Sequence, residues 1–212
     1  MEHFFRIMSK KDNLQRHYSF WGFLELAISV VISRLFIDKR LRYFNFPIII
    51  KGRKFIDFGK NLTAGYYCRF EVYPKDSNKR KRIIFGNNIQ LNDFVHISAI
   101  DRVEIGDNCL MASHIYISDN SHGRYDGGAD DSSPLCPPDH REYITAPVKI
   151  GKNCWIGEGV IIMPGVAIGD GCVIGAHSIV KSSIPEASIA VGSPAKVVKR
   201  YSFEQKKWIK VK

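Results

Sequence analysis

The run Ile117-Ser118-Asp119-Asn120-Ser121-His122-Gly123 holds the residues of this chain best suited to moving a proton. A histidine at the lip of a loop, with a carboxylate three residues earlier, has the make-up of a general base, because imidazole changes charge near neutral pH. The stretch that follows, 123–149, is rich in loop formers: Gly127-Gly128, Asp130-Asp131, Ser132-Ser133-Pro134 and Pro137-Pro138. A connection this long inside an otherwise regular chain is usually either functional or disordered.

What must position this segment is visible on either side of it. From Ile150 the chain advances in steps of six, with Ile150, Ile156, Ile162, Ile168, Ile174 and Val180 opening successive hexads. The fifth places are Cys154, Val160, Val166, Cys172, Ser178 and Ile184, mostly compact side chains. This period fits neither a 3.6-residue helix nor a hairpin. It suits a coil of three short strands, one large side chain per strand pointing inward and small residues turning each corner. The same signature appears earlier as Phe58-Gly59-Lys60-Asn61, Phe85-Gly86-Asn87-Asn88 and Ile105-Gly106-Asp107-Asn108, each followed by a step of six: Phe58, Ala64, Phe70; Phe85, Leu91, Ile97; Ile105, Met111, Ile117. Coil starts are spaced by 27, 20, 45 and 18 residues, so with eighteen per turn the insertions are 9, 2 and 27 residues. The reading is an all-β parallel β-helix of about five coils over 51–185, with a loop excursion at 123–149. An N-terminal amphipathic helical segment, 1–50, precedes it and a basic C-terminal tail, 186–212, follows.

Four of the five cysteines (Cys68, Cys109, Cys154, Cys172) fall at the inward fifth place, where a thiol serves as a small hydrophobe. Without a CxxC pair, the odd, widely spaced set argues against a disulfide framework or a zinc site and for a reducing, cytoplasmic setting. Residues 1–19 show no secretory pattern. Residues 20–37 form an apolar helix with a narrow polar stripe (Gly22, Glu25, Ser29, Ser33), which leaves three readings open: packing on the body or a neighbouring subunit, lying in an anionic membrane interface, or spanning it. The net charge of +10 is clustered in Lys79-Arg80-Lys81-Arg82 and in the tail. No nucleic-acid module accompanies it, so an anionic lipid surface, an acidic glycan or a phosphorylated cofactor is the better partner, and the tetrad also reads as a solvated basic face.

The hexads 150–185, the run from Val148 to Gly157 and the segment Ala190-Val191-Gly192-Ser193-Pro194-Ala195-Lys196-Val197-Val198 together resemble the hexapeptide-repeat acyltransferase superfamily. Within it they are most similar to the maltose/galactoside O-acetyltransferase group. The segment Ser118 to Gly123 and the basic tail resemble the O-antigen and capsular polysaccharide O-acetyltransferases of bacteria. The resemblance implies a left-handed parallel β-helix, against the general right-handed preference, assembled as a homotrimer with active sites between subunits. It implies acetyl-CoA as co-substrate, no metal, and direct transfer through a tetrahedral intermediate to a sugar hydroxyl of a surface polysaccharide or its lipid-linked precursor.

Carried onto this chain, the family's catalytic histidine is His122. Many polysaccharide members have a second histidine two positions earlier, where this chain has Asn120. Asn92 matches an asparagine that positions the acceptor, though it also suits a left-handed corner; Asp93 and Asp101 are weaker acceptor candidates. Trp155 matches a tryptophan bordering the acetyl-CoA channel and the acceptor, and it also suits simple packing. Gly157 and Ala176 match small positions beside the pantetheine arm, and Lys181, Lys196 and Lys199 match positions that reach the CoA phosphates. A free sugar or xenobiotic is the alternative acceptor. A γ-carbonic-anhydrase-like zinc enzyme is disfavoured because His96, His114 and His122 are separated by 18 and 8 residues, and a non-catalytic scaffold by the histidine, loop and tail together.

Overall fold

A two-residue strand cannot stand alone, and this chain makes many of them stable by stacking identical pieces. The structure, a computed structural model, describes residues 19–211; of the helical segment expected over 1–50, residues 1–18 lie outside the described residues. The chain visits three walls in rotation. The first wall stacks Tyr43–Phe44, Thr63–Ala64, Gln90–Leu91, Leu110–Met111, Trp155–Ile156, Val173–Ile174 and Ser188–Gly192 in parallel. The second stacks Ile49–Lys51, Arg69–Val72, His96–Ala99, Tyr116–Ser118, Ile161–Ile162 and Ile179–Val180. The third stacks Ile56–Asp57, Ile83–Phe85, Val103–Ile105, Val148–Ile150 and Ala167–Ile168, with Ile184 bridging to Ile168.

The hexad periodicity translates directly into the core. Every hexad opener from Phe58 to Val180 is buried, and so is every fifth-place residue from Cys154 to Ile184. The four inward cysteines are free thiols, each donating to a backbone carbonyl, as in Cys109 Sγ to Gly151 O at 3.1 Å. At one corner Asn61, Asn88, Asn108 and Asn153 all take positive φ, and their side chains bond in series at 3.1–3.2 Å. Asparagine tolerates that backbone and its amide both gives and accepts, so the Asn of each Gly-x-Asn signature turns the corner and ties successive coils together. The glycine of the signature is required by crowding: a Cβ on Gly151 would lie 2.7 Å from the Asp170 nitrogen.

Parallel pairing extends past the hexads at both ends. Tyr43–Phe44 pairs with Thr63–Ala64 and Ile49–Lys51 with Arg69–Glu71. The step of six is lost there because a 3₁₀ turn, Arg53–Phe55, separates Ile50 from Phe58. The basic tail is itself sheet. Ala195–Ser202 turns back antiparallel on Ser188–Gly192, and Lys207–Lys210 adds to its edge. The N-terminal helix, Phe20–Ile32, begins at Ser19, whose hydroxyl accepts from Gly22 N, and continues as a π-turn over Ser33–Ile37.

Candidate functional site

The long excursion leaves the second wall after Ser118 and rejoins the third at Val148. Its root is Asp119, a fully buried carboxylate. It accepts hydrogen bonds from the backbone N–H groups of Ile100 (2.9 Å), Asp101 (2.7 Å) and Arg102 (2.5 Å) and from Asn120 Nδ2 (3.0 Å). A buried carboxylate needs such partners, and these hold the departing chain at a fixed angle. Asp119 therefore anchors the excursion and does not touch the imidazole, contrary to the pairing that its spacing from His122 suggests. Asn120–His122 then pairs antiparallel with Tyr143–Thr145, and Ala146 N closes the base of this ribbon on Asp119 O at 2.8 Å.

His122 is exposed at the end of the ribbon, and the loop beyond it folds back so that Tyr125 and Pro138 reach it. Its Nδ1 lies 3.2 Å from Pro138 O. A carbonyl only accepts, so Nδ1 carries the hydrogen, and in the neutral ring the lone pair is left on Nε2. The ring centroid lies 4.3 Å from that of Tyr143. Tyr125 donates its hydroxyl hydrogen to His122 O and accepts from Arg141 Nη1 at 2.6 Å, while Arg141 Nε donates to Cys136 O at 2.9 Å. Main chain, ring face and Nδ1 of His122 are thus each held by a different part of residues 123–149.

His122 borders a cleft of about 510 Å³, lined also by Tyr73, Lys75, Ser98, Ile100, Tyr116, Asn120 and Tyr143. Tyr73 and Lys75 come from the shorter excursion between Val72 and Ile83. Lys75 Nζ donates to Tyr143 O, so the two excursions meet over the cleft. Beside them on the second wall, buried Glu71 lies within 3.0 Å of Lys51, Arg69 and His96. Burial alone would push its carboxyl up, but hydrogen bonds from those three groups outweigh it and hold the pKa at about 2. Burial lowers the His96 pKa, with Glu71 partly offsetting it. His96 lies in a second-wall strand with its ring 3.0 Å from Glu71, whereas His114 and His177 turn corners at positive φ.

The other site residues expected from the sequence lie elsewhere on the chain. Asn92 and Asp93 sit at a corner of the first wall, in a groove of about 330 Å³ with Asn45, Tyr66, Gln90 and Ser113, where Asp93 Oδ1 accepts from Tyr66 N at 2.7 Å. Asp101 is engaged by Arg80 and Arg82 of the basic tetrad, and Arg82 is itself buried. That tetrad is thus partly structural. Trp155 is 53% exposed on the first wall. Gly157 follows it at the corner, where a Cβ would come 2.7 Å from Ala176 N. Lys181 follows the last second-wall strand, and Lys196 and Lys199 lie on the returning strand opposite Val191 and Ile189. Of the site residues expected from the sequence, His122 is the one that lines this cleft within a single chain. Among the described residues no group of three His, Cys, Asp or Glu side chains could hold a metal ion.

Tyr73, Lys75 and Tyr143, which line the cleft, and Tyr125, Pro138 and Arg141, which hold His122, carry no signature in the sequence because they stand outside the repeat. Only the β-prone triplet Tyr143-Ile144-Thr145 signals a strand there.

Comparison with known proteins gives this geometry a relative. Residues 147–182 match the bacterial transferase hexapeptide (six repeats) model. The chain is 40% identical over 197 residues to WbbJ of Escherichia coli (strain K12), which bears the name of a lipopolysaccharide biosynthesis O-acetyl transferase; the alignment covers 93% of this chain and 97% of WbbJ. The chain belongs to the hexapeptide-repeat acyltransferases. A protein of Mycobacterium tuberculosis (strain ATCC 25618 / H37Rv), Rv3034c, named as an acetyltransferase, is 43% identical over 184 residues, covering 85% of this chain and 56% of its own length. Among solved structures, a maltose O-acetyltransferase from Clostridium difficile 630 superposes with a TM-score of 0.52 at 32% identity, over 71% of this chain and 72% of that one. An N-acyltransferase from Bacillus cereus, AntD, shares the fold alone, with a TM-score of 0.64 at 24% identity over 79% of this chain and 84% of its own. As a hexapeptide-repeat enzyme the protein is an acyltransferase, and the family implies left-handed winding of its coils.

Proposed function

We propose that this enzyme transfers the acetyl group of acetyl-CoA to a sugar hydroxyl of a surface polysaccharide, or of its lipid-linked precursor, on the cytoplasmic side of the cell membrane. The observation that carries the reading is the bond from His122 Nδ1 to Pro138 O, which keeps the hydrogen on Nδ1 and so leaves the lone pair of the neutral ring on Nε2, beside a polar, aromatic-lined cleft. A sugar hydroxyl is a weak nucleophile. As its oxygen attacks the thioester carbonyl, its proton passes to Nε2; when the carbon–sulfur bond breaks, the imidazolium returns that proton to the departing sulfur. The thioester supplies the acetyl group, and no residue of the chain need be acylated. The similarity to WbbJ supports the class of acceptor.

The division of the candidate residues between walls supports a homotrimer. A neighbouring copy would bring its Asn92 and Asp93 groove, or its Trp155 and Gly157 corner with Lys196 and Lys199, against the His122 cleft. The family resemblance would run the pantetheine arm past Gly157 and Ala176, and the glycine is required in any case by the stacking of the coils, since a Cβ there would come 2.7 Å from Ala176 N. O-acetyl groups on surface glycan are the readout. Cells lacking the protein lose them, wild type restores them and His122→Ala does not. Equal restoration by both overturns the assignment.

A further inference from the structure

The N-terminal helix is attached to the body by its polar side. Ser29 and Ser33 are buried, and Ser33 Oγ accepts from Phe44 N at 2.7 Å and donates to Ser29 O at 2.6 Å. Glu25 accepts from the Tyr66 hydroxyl at 2.7 Å. The apolar side is left outside: Phe20, Trp21, Leu24, Ile28, Leu35 and Phe36 are all exposed, the last at 76%. A helix on a water-soluble surface shows the opposite arrangement, so this one is built to meet an apolar partner.

Charge says which partner. Between residues 20 and 55 there are seven basic residues (Arg34, Lys39, Arg40, Arg42, Lys51, Arg53, Lys54) and two acidic ones (Glu25, Asp38). Both acids are already engaged, Glu25 by Tyr66 and Asp38 by Arg40 at 2.9 Å; Arg40 also pairs with Asp57 and Lys51 with Glu71, so the charge of the face rests on Arg34, Lys39, Arg42, Arg53 and Lys54. A second copy presenting the same basic surface would be repelled, whereas anionic lipid headgroups are attracted to it and acyl chains accept the aromatic and aliphatic side chains. The polar tethers argue for a helix that lies in the interface, because spanning the bilayer would strip Ser29, Ser33 and Glu25 of their partners and place them in hydrocarbon.

We infer that residues Phe20–Ile37 and the adjoining basic segment form a docking face for an anionic lipid bilayer, with the apolar side of the helix at the level of the acyl chains. In a threefold assembly with parallel coil axes, all three helices lie at the same end, so their weak individual affinities multiply. The inference goes beyond the catalytic reading and is tested without acceptor or turnover.

The test floats the full-length protein with vesicles of phosphatidylglycerol and phosphatidylethanolamine, or of phosphatidylcholine alone. Wild type should rise with the anionic vesicles, less so at high salt, and stay behind with the neutral ones. The variant Leu24→Gln, Ile28→Gln, Leu35→Gln should lose about tenfold or more of that binding, and Lys39→Glu with Arg42→Glu, which leaves the helix intact, should remove the preference for anionic lipid. Failure of wild type to bind, or retained binding in both variants, overturns the inference. So does a change of oligomer mass in the glutamine variant, which would make the face a protein contact, or release from vesicles only by detergent, which would mean spanning. Loss of acetyl transfer in His122→Ala with vesicle binding retained separates the two proposals.

Discussion

In the coils each residue has counterparts above and below it. Asn108 is bonded on one side to Asn88 and on the other to Asn153, and the column continues to Asn61. In the long excursion nothing is repeated: His122 is held once by Pro138 through its ring, once by Tyr125 through its carbonyl, and packs once on Tyr143. The first kind of order is cooperative and carries stability. The second is assembled from single contacts at an exposed position and carries geometry. Substitutions in the two regions should therefore separate stability from turnover.

The largest expected effect is at His122. His122→Ala should lower turnover, read as free thiol released from acetyl-CoA, by ~10²–10⁴, with thermal midpoint unchanged because the side chain is exposed. A comparable fall in stability would erase the distinction between regions. Ile162→Ala, in the core of the coils, should do the converse. It should cost about 2–5 kcal/mol in denaturant unfolding and leave turnover per folded molecule as in wild type.

Tyr125→Phe removes the hydroxyl that holds the His122 carbonyl and is held by Arg141. Turnover should fall by about tenfold without loss of stability, and Arg141→Ala should follow it. Asn108→Ala places alanine at φ +59 and cuts the ladder. It should cost about 1–2 kcal/mol, and Asn108→Gly should recover part of this. The smallest effect is in acid. The Glu71 carboxyl is held at about 2, below its ordinary 4.5, so its contribution to stability is present above pH 4.5 and is lost as pH falls towards 2. The unfolding midpoint of wild type should drop across that window, and that of Glu71→Gln should drop less.

The same contrast explains what was legible in the sequence. Residues from Phe58 to Val180 announced the walls because stacking forces one inward side chain every six positions. The excursion announced itself as the place where that rule stops, and His122 stood at its edge. The first coil was hidden because the Arg53–Phe55 turn breaks the step after Ile50. The partners of His122 were hidden for a different reason. Pro138 acts through its carbonyl, which every residue has, and Tyr125 and Arg141 meet only because a particular loop folds back. Asp119 shows the limit of spacing arguments: three residues from the imidazole in sequence, it faces the backbone amides of 100–102.

By bonding Nδ1 to Pro138 O, the excursion selects for His122 the tautomer with hydrogen on Nδ1 and the lone pair on Nε2. Nitrogen-15 resonance of the imidazole rings, with His122 assigned by its disappearance in His122→Ala, reads this directly at neutral pH. His122 should show a hydrogen-bearing Nδ1 and a bare Nε2. A bare Nδ1 with the hydrogen on Nε2 would contradict that assignment.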